Sequence, residues 1–387
     1  MYVEPSNRIR KILRIAVNSN GGVAKFSKII NTSENNIRRW LRGDRSIPFG
    51  IIKYLANLNN ADIWQFLVNE NLKSMTSNNS FKIFHEIKKA ECILLGWVLS
   101  EGHLSNERLT ITQKEKQPLN VLRNLISRHF YFKNSIRIEQ DRNAWRLVIN
   151  SCSFAEYLNS RYTIPFGKKA KIIRVPIQIF TLPKEEKFAF LAGCFEGDGS
   201  FIASIRASKR GKYKIPVATL TSSSKDFLED TKKILSSLDI KPRIHSDKIA
   251  IYNSKDCVKL FFYLLPYMVS ENKIKDFVYS LSDFQFLNSV SIANCGDLIT
   301  KWKNKLNITW NKFTEFIEEK CKYKASYYTV SNWGYNYFSP PLSVVLAACE
   351  ELKENYFDYI PKWFAGLFWI HKKISKADFE RLREMKL

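Results

Sequence analysis

Two stretches, Leu94-Leu-Gly-Trp-Val-Leu-Ser-Glu-Gly102 and Leu191-Ala-Gly-Cys-Phe-Glu-Gly-Asp-Gly199, carry the same nine-residue pattern 97 positions apart. Each is an apolar helix candidate that ends in an acid followed by glycine. Gly96 and Ser100 in the first stretch, and Gly193 and Gly197 in the second, stand four apart and so share a helical face. Small residues on one face let two helix backbones approach closely, and such packing would bring Glu101 beside Asp198. Two adjacent carboxylates repel each other unless a cation lies between them, so the physical expectation is a divalent-metal site.

Working outward, the residues after each motif repeat in the same order. Leu109–Lys114 is expected as a strand and Pro118–His129 as a helix, answered by a strand over 218–223 and a helix over 226–238. Thr112 matches Thr221, Lys116 matches Lys225, Leu119 matches Leu228 and Ile126 matches Leu235, all at a shift of 109. The second copy is therefore 12 residues longer between motif and helix, and the extra residues fall at Arg206–Pro216. A basic, glycine-containing insertion there suits a hairpin tip that reaches phosphates. Further strands are expected around 135–139, 145–149, 242–245 and 248–252. Ser204, Arg206, Ser208 and Arg210 alternate with Ala203, Ile205 and Ala207, which gives a strand one apolar and one polar, partly basic face.

The pair of motifs resembles the LAGLIDADG homing endonuclease family in its single-chain, two-motif form, over about residues 85–285. The resemblance implies an α+β fold of two pseudo-symmetric αββαββα halves, residues 85–185 and 186–287, forming a saddle on duplex DNA. It implies Mg²⁺ or Mn²⁺ held by the eighth-position acids, Glu101 and Asp198, with the carbonyls of Ser100 and Gly197 as further ligands. It also implies catalytic support from Gln113 on a strand, from Lys169 in Ile164-Pro-Phe-Gly-Lys-Lys-Ala and from Lys273, with Ser204, Arg206, Ser208 and Arg210 on the DNA face. The sequence departs from the family pattern at the sixth position of the first motif, Leu99. It departs again in having Glu at 101, and Ser222 where Gln113 has its counterpart.

The N-terminal residues, 1–75, are expected as short helices. Val23–Ile30 precedes Asn31-Thr-Ser33, a helix over Glu34–Leu41 with Ser33 as its cap and Gly43 as its stop, and a helix over 49–58 begun by Pro48. The middle helix carries Asn35, Asn36, Arg38, Arg39 and Arg42 around apolar Ile37, Trp40 and Leu41, as a major-groove reading helix would. This segment resembles the helix-turn-helix of the phage repressor and Cro family. A shift of 293 brings Ile37 onto Val330, Trp40 onto Trp333, Pro48 onto Pro341 and Ile52 onto Val345. Residues 296–387 are thus expected as a second helix-turn-helix-like domain, in which Tyr327, Tyr328, Ser331 and Asn332 stand where the first has its polar and basic residues. DNA and protein are both open as partners of that second copy. Lys73–Ser80 and Asn288–Gly296 are the expected joints, and the flanking domains are expected to be all-α.

Charge agrees with a polyanionic partner, because 61 Lys and Arg against 37 Asp and Glu give +24 over 387 residues. The surplus is spread as +7 over residues 1–80, where 12 basic residues face 5 acidic ones. It is +4 over 296–387, where 15 face 11, which leaves +13 between. Seven cysteines without a Cys-x-x-Cys pair argue for buried small hydrophobes in a reducing compartment, and no apolar run spans a bilayer. The expected protein is an intracellular, cytoplasmic monomer that hydrolyses phosphodiesters in double-stranded DNA, the metal activating water. Two other functions are open on the same scaffold: a non-cleaving, sequence-specific DNA-binding regulator, and an RNA-splicing maturase. An acid at both eighth positions favours the enzyme; Leu99, Ser222 and Glu101 favour the regulator.

Overall fold

The computed structural model describes residues 1–73, 80–84, 86–132, 136–208, 211–274, 287–288, 290–364 and 377. It is a mixed α+β structure with antiparallel sheets. The chain divides into two compact units, Met1–Asp198 with Ser222–Asp230, and Gly199–Thr221 with Thr231–Leu387.

The first unit begins with β1 (Tyr2–Val3), α1 (Asn7–Ser19), α2 (Val23–Ile29), α3 (Glu34–Arg42), β2 (Ile47–Pro48), α4 (Phe49–Leu58), α5 (Ile63–Phe66), β3 (Asn71–Lys73) and β4 (Ser80–Lys82). Ser33 caps α3 by accepting the Asn36 N–H at 3.3 Å, and Gly43 closes it in the left-handed conformation at φ 91°. Ile37 and Trp40 are buried, whereas Leu41 is only half-buried.

The expectation of an all-α N-terminal segment is corrected here: β2, β1, β3 and β4 form a four-stranded sheet in that order. Strands of two or three residues are too short to show a period of two in sequence. The polar stretch expected as a linker instead joins two paired strands, with Lys73 opposite Ser80. Phe81, next on β4, is buried among Phe130, Phe132, Phe154 and Tyr157 at centroid distances of 5.1 to 6.4 Å.

There follow α6 (Lys89–Ser100), β5 (Gly102–Leu104), β6 (Arg108–Gln113), α7 (Lys116–Phe130), β7 (Arg137–Asp141), β8 (Ala144–Asn150) and α8 (Cys152–Tyr162). The same order of elements recurs as α9 (Lys184–Gly197), β9 (Gly199–Ser208), β10 (Gly211–Thr221), α10 (Lys225–Ser237), β11 (Arg243–His245), β12 (Lys248–Ile251) and α11 (Ser254–Leu264). Sheet order repeats as well, β5-β6-β8-β7 and β9-β10-β12-β11. The insertion lengthens the second hairpin: β9 and β10 stay in register from Gly199 opposite Leu220 to Ser208 opposite Gly211. Helices α6 and α9 lack a polar stripe because they are enclosed on all sides, being buried throughout 91–99 and 188–196.

The last helices are α12 (Gly296–Lys305), α13 (Trp310–Cys321), α14 (Tyr327–Gly334) and α15 (Leu342–Leu352). At the shift of 293, α14 answers α3 and α15 answers α4. Ser326 caps α14 from the Thr329 N–H at 3.1 Å, just as Ser33 caps α3 from Asn36. Val330 and Trp333 are buried like Ile37 and Trp40. Asn288–Gly296 is held to this helical group, with Ser291 bridged to Pro341 and the Leu342 N–H donating to the Val290 carbonyl at 2.7 Å. Near the end of the described residues, Phe364 is buried.

Candidate active site

The approach of α6 to α9 is set by their glycines. A Cβ added at Gly96 would meet the Phe190 carbonyl at 2.3 Å and the Cys194 nitrogen at 2.7 Å. One added at Gly193 would meet the Ile93 carbonyl at 2.3 Å and the Trp97 nitrogen at 2.9 Å. At Gly197 it would strike Ser100 Oγ at 2.1 Å and Glu101 Cγ at 2.8 Å. The four-residue spacing of small residues therefore brings the two backbones together and the two acid-bearing ends with them.

Glu101 and Asp198 end α6 and α9 as their C-caps. Their N–H groups donate to the Trp97 carbonyl at 2.9 Å and the Cys194 carbonyl at 3.1 Å. A carboxylate at a helix C-terminus meets the negative end of the helix dipole, so each acid stands where a base would be favoured. Lys169 supplies compensating charge. Gly167, at φ 76°, turns the chain and donates its N–H to the Leu104 carbonyl at 2.8 Å. From there Lys169 Nζ reaches the carbonyls of Val98 (2.8 Å), Ser100 (3.2 Å) and Leu99, the last turn of α6. Burial pulls the Lys169 ammonium down to about 8, and the charges of Asp198 and Glu101 oppose that fall.

The other expected residues are distributed as follows. Ser100 Oγ donates to the Gly96 carbonyl at 3.0 Å, so its hydroxyl serves the helix. Gln113 is the half-buried last residue of β6, opposite Trp145. Lys273 Nζ donates to the Gly199 carbonyl at 2.9 Å, one residue past Asp198 in sequence. Ser204 is half-exposed on β9, next to buried Phe201 and exposed Ile202 along the strand. In the ladder, Arg206 pairs with Tyr213 and Ser208 with Gly211; Arg210 lies outside the described residues. On α3, Asn35, Arg38 and Arg42 are exposed, and Asn36 and Arg39 half-exposed. Arg38 pairs with Glu34 at 3.2 Å, Arg42 with Asp44 at 2.7 Å, and Asn36 accepts from Arg45 at 2.7 Å. Leu99 and Glu196, at the two sixth positions, are both buried.

One cluster was not foreseen. Glu91, in the first turn of α6, is fully buried and accepts from the hydroxyls of Tyr162 at 2.6 Å and of Tyr157. Arg161 donates to Tyr157 Oη at 2.8 Å, and His129 Nε2 lies 3.6 Å from Glu91, a contact too long for a hydrogen bond. Burial alone would raise this carboxyl, but His129, the Arg161 charge and the two hydroxyls more than reverse it and hold it below the ordinary value. A single acid in a buried apolar helix was the available signal.

Among the described residues, no three His, Cys, Asp or Glu side chains converge, and no helix is long and apolar enough to cross a membrane. His103, beside the first motif, is exposed. All seven cysteines are free and six are buried, with burial pushing the Cys321 and Cys349 thiols up to about 12.

Residues 185–264 match the LAGLIDADG-like domain family, a span that takes in the second motif and its sheet. Among curated proteins, the chain is similar to the tRNA-splicing ligase RtcB of Pyrococcus furiosus, 28% identical over 211 residues (48% of this chain and 20% of that one). The RtcB of Pyrococcus abyssi is 30% identical over 177 residues (40% and 19%). The chain thus spans about a fifth of the length of these relatives. Solved structures similar to it include the homing endonuclease I-DmoI with DNA and Mn, at 18% identity, 46% and 96% coverage and a TM-score of 0.35. The homing endonuclease I-WcaI bound to its DNA recognition sequence matches at 17% identity, 49% and 86% coverage and a TM-score of 0.36.

Proposed function

We propose that this chain is a divalent-metal-dependent, site-specific endonuclease acting on double-stranded DNA, with Glu101 and Asp198 as its metal-holding acids. One observation carries the reading: two enclosed helices, matched in sequence, meet through glycine and each ends in a carboxylate. A carboxylate at the negative end of each helix dipole costs stability at both helix ends, which is what a functional site looks like.

The donor set fits a hard cation. Two carboxylates and the nearby carbonyls of Ser100 and Gly197 are all oxygen ligands, as Mg²⁺ or Mn²⁺ prefers, and phosphate or water oxygens complete such a shell. When bound, the metal would supply an activated water and stabilise the leaving oxygen. The chain's own residues do the positioning. Lys169 ties down the last turn of α6, so the Glu101 backbone is fixed, and its charge offsets the negative helix end. Lys273 holds the Gly199 carbonyl and so fixes the residue that follows Asp198. Gln113 presents an amide from the end of β6. The long β9–β10 hairpin, with Ser204, Arg206, Ser208 and Arg210, lies along the DNA, and α2–α3 act as a helix-turn-helix in which Asn35, Asn36, Arg38, Arg39 and Arg42 meet flanking duplex. Residues 1–75, 85–185, 186–287 and 296–387 are the functional segments, the middle two forming pseudo-symmetric halves of an intracellular monomer.

A second reading, a non-cleaving DNA-binding regulator, is favoured by two observations. The Ser100 carbonyl already accepts from Lys169, and the sixth motif position is buried Leu99 rather than an acid.

The test is incubation of the protein with a plasmid library of randomised sites and Mg²⁺ or Mn²⁺. Site-specific cutting that disappears in Asp198→Asn and Glu101→Gln, with duplex binding retained, is expected. Tight duplex binding without cutting in either metal establishes the regulator instead, and preference for structured RNA overturns both.

A further inference from the structure

The face of the C-terminal helical group that corresponds to the N-terminal reading helix is aromatic. At the shift of 293, Glu34, Asn35, Arg42, Asp44 and Arg45 become Tyr327, Tyr328, Tyr335, Tyr337 and Phe338. All five are exposed, by 47% to 76%. Beneath them Val330 and Trp333 are buried as Ile37 and Trp40 are, and the serine cap is kept, while Ser331 and Asn332, at the positions of Arg38 and Arg39, have turned from exposed or half-exposed charges into buried polar residues.

The rings are spaced rather than stacked on one another. Tyr335 lies 6.5 Å from Trp310 and 6.3 Å from Tyr337, tilted by 44° and 41°, and Tyr328 meets Phe338 edge-on at 6.1 Å. Ring faces are therefore left open. From Lys322 to Cys349 the sequence holds two lysines, Lys322 and Lys324, and no acid, and the acid brought near from another segment is Asp297, next to Gly296, whose N–H donates to the Asn336 side chain at 2.7 Å. Lys303 Nζ sits 5.5 Å over the Trp310 ring. Among the described residues of 290–364, every exposed large apolar side chain is aromatic, with no Leu, Ile, Val or Met among them. Exposed ring faces beside lysines suit nucleobases, which stack on π faces next to a cationic border.

We infer that this face is a stacking platform for the unpaired bases of single-stranded DNA, and that the second copy of the helical unit has exchanged duplex reading for base stacking. The platform acts whether or not the acids cut, so its test is run with EDTA present.

Fluorescence anisotropy of the full chain with a labelled oligothymidylate of about twelve nucleotides measures the binding. The triple variant Tyr328→Ala, Tyr335→Ala, Tyr337→Ala is expected to bind about tenfold or more weakly, because each lost ring removes one stacking partner. The matching Tyr→Phe triple keeps the rings and is expected to bind like the parent. Melting temperatures of both triples should match the parent's, since these side chains are exposed. The inference is overturned if the alanine triple binds the oligothymidylate as the parent does. It is also overturned if oligouridylate is preferred, or if the alanine triple changes self-association instead of DNA affinity.

Discussion

Gly96 and Gly193 meet across the α6–α9 contact so closely that a Cβ added to Gly96 would lie 2.8 Å from the Gly193 Cα, and one added to Gly193 would lie 3.0 Å from the Gly96 Cα. The contact is reciprocal and is made by backbone on both sides, so no side-chain rearrangement can relieve an added methyl. Gly193→Ala should therefore destabilise the protein by about 1–3 kcal/mol or more, as overpacking in a filled core does. Chemical denaturation measures this; a loss under about 0.5 kcal/mol would show that the helices can separate without cost.

Glu91 links stability to pH. Its folded carboxyl titrates below the ordinary value, so its contribution is present above the unfolded value of 4.5 and is lost as the pH falls through the lower, folded one. Glu91→Gln should cost about 3–5 kcal/mol near neutrality, because it leaves Arg161 and two tyrosine hydroxyls facing a neutral amide. The gap between parent and variant melting temperatures should narrow as the pH falls below 4.5. A gap that stays constant from neutral to acid pH would mean that the carboxylate charge is not what the cluster uses.

Divalent cations should stabilise the folded chain by mass action at Glu101 and Asp198. At a concentration about a hundredfold above Kd the gain is about 2.7 kcal/mol. Melting curves with Ca²⁺ and with EDTA read this directly. The shift should vanish in Glu101→Gln combined with Asp198→Asn, and a shift that survives in that variant would place the cation elsewhere.

Ser33 and Ser326 offer a matched pair. Each accepts the N–H three residues ahead, so Ser33→Ala and Ser326→Ala should each cost about 1 kcal/mol. Hydrogen exchange on α3 and α14 locates the loss. If Ser33→Ala leaves α3 protection unchanged while Ser326→Ala loosens α14, the two helical groups do not share a design.

Arg39 belongs to the proposed reading helix and has no carboxylate partner among the ion pairs of α3, in contrast to Arg38 and Arg42. Arg39→Ala should weaken duplex binding, and for a phosphate contact it should reduce the salt slope by about 1. An unchanged slope together with relaxed sequence preference would make Arg39 a base contact instead.

Much of this structure was legible in sequence where a local rule decides the outcome. Ser33, Gly43 and Pro48 mark helix ends because capping and φ are properties of one or two residues. The glycines at 96 and 193 announce the helix contact because nothing else in an enclosed helix calls for a missing side chain. Features set by distant partners were not legible. Lys169 reaches carbonyls about 70 positions back in the chain, and Glu91 gathers Tyr157, Tyr162 and Arg161 from α8 and His129 from α7. The sheet of β1 to β4 escaped because two-residue strands have no alternation to detect. The stretch around Lys73–Ser80 looked like a joint because its composition is polar, whereas its two ends are paired strands.

That pairing bears on how the protein can be re-engineered. Phe81 is presented by β4, yet its ring is lodged among Phe130, Phe154 and Tyr157. A chimera joined between β3 and β4 would separate two paired strands and leave a foreign segment to fill an aromatic socket shaped for this one. A graft that carries β3, β4 and Phe81 across together keeps that socket occupied, and it must include Ile83, which is buried and whose carbonyl accepts from the Asn69 N–H at 3.1 Å.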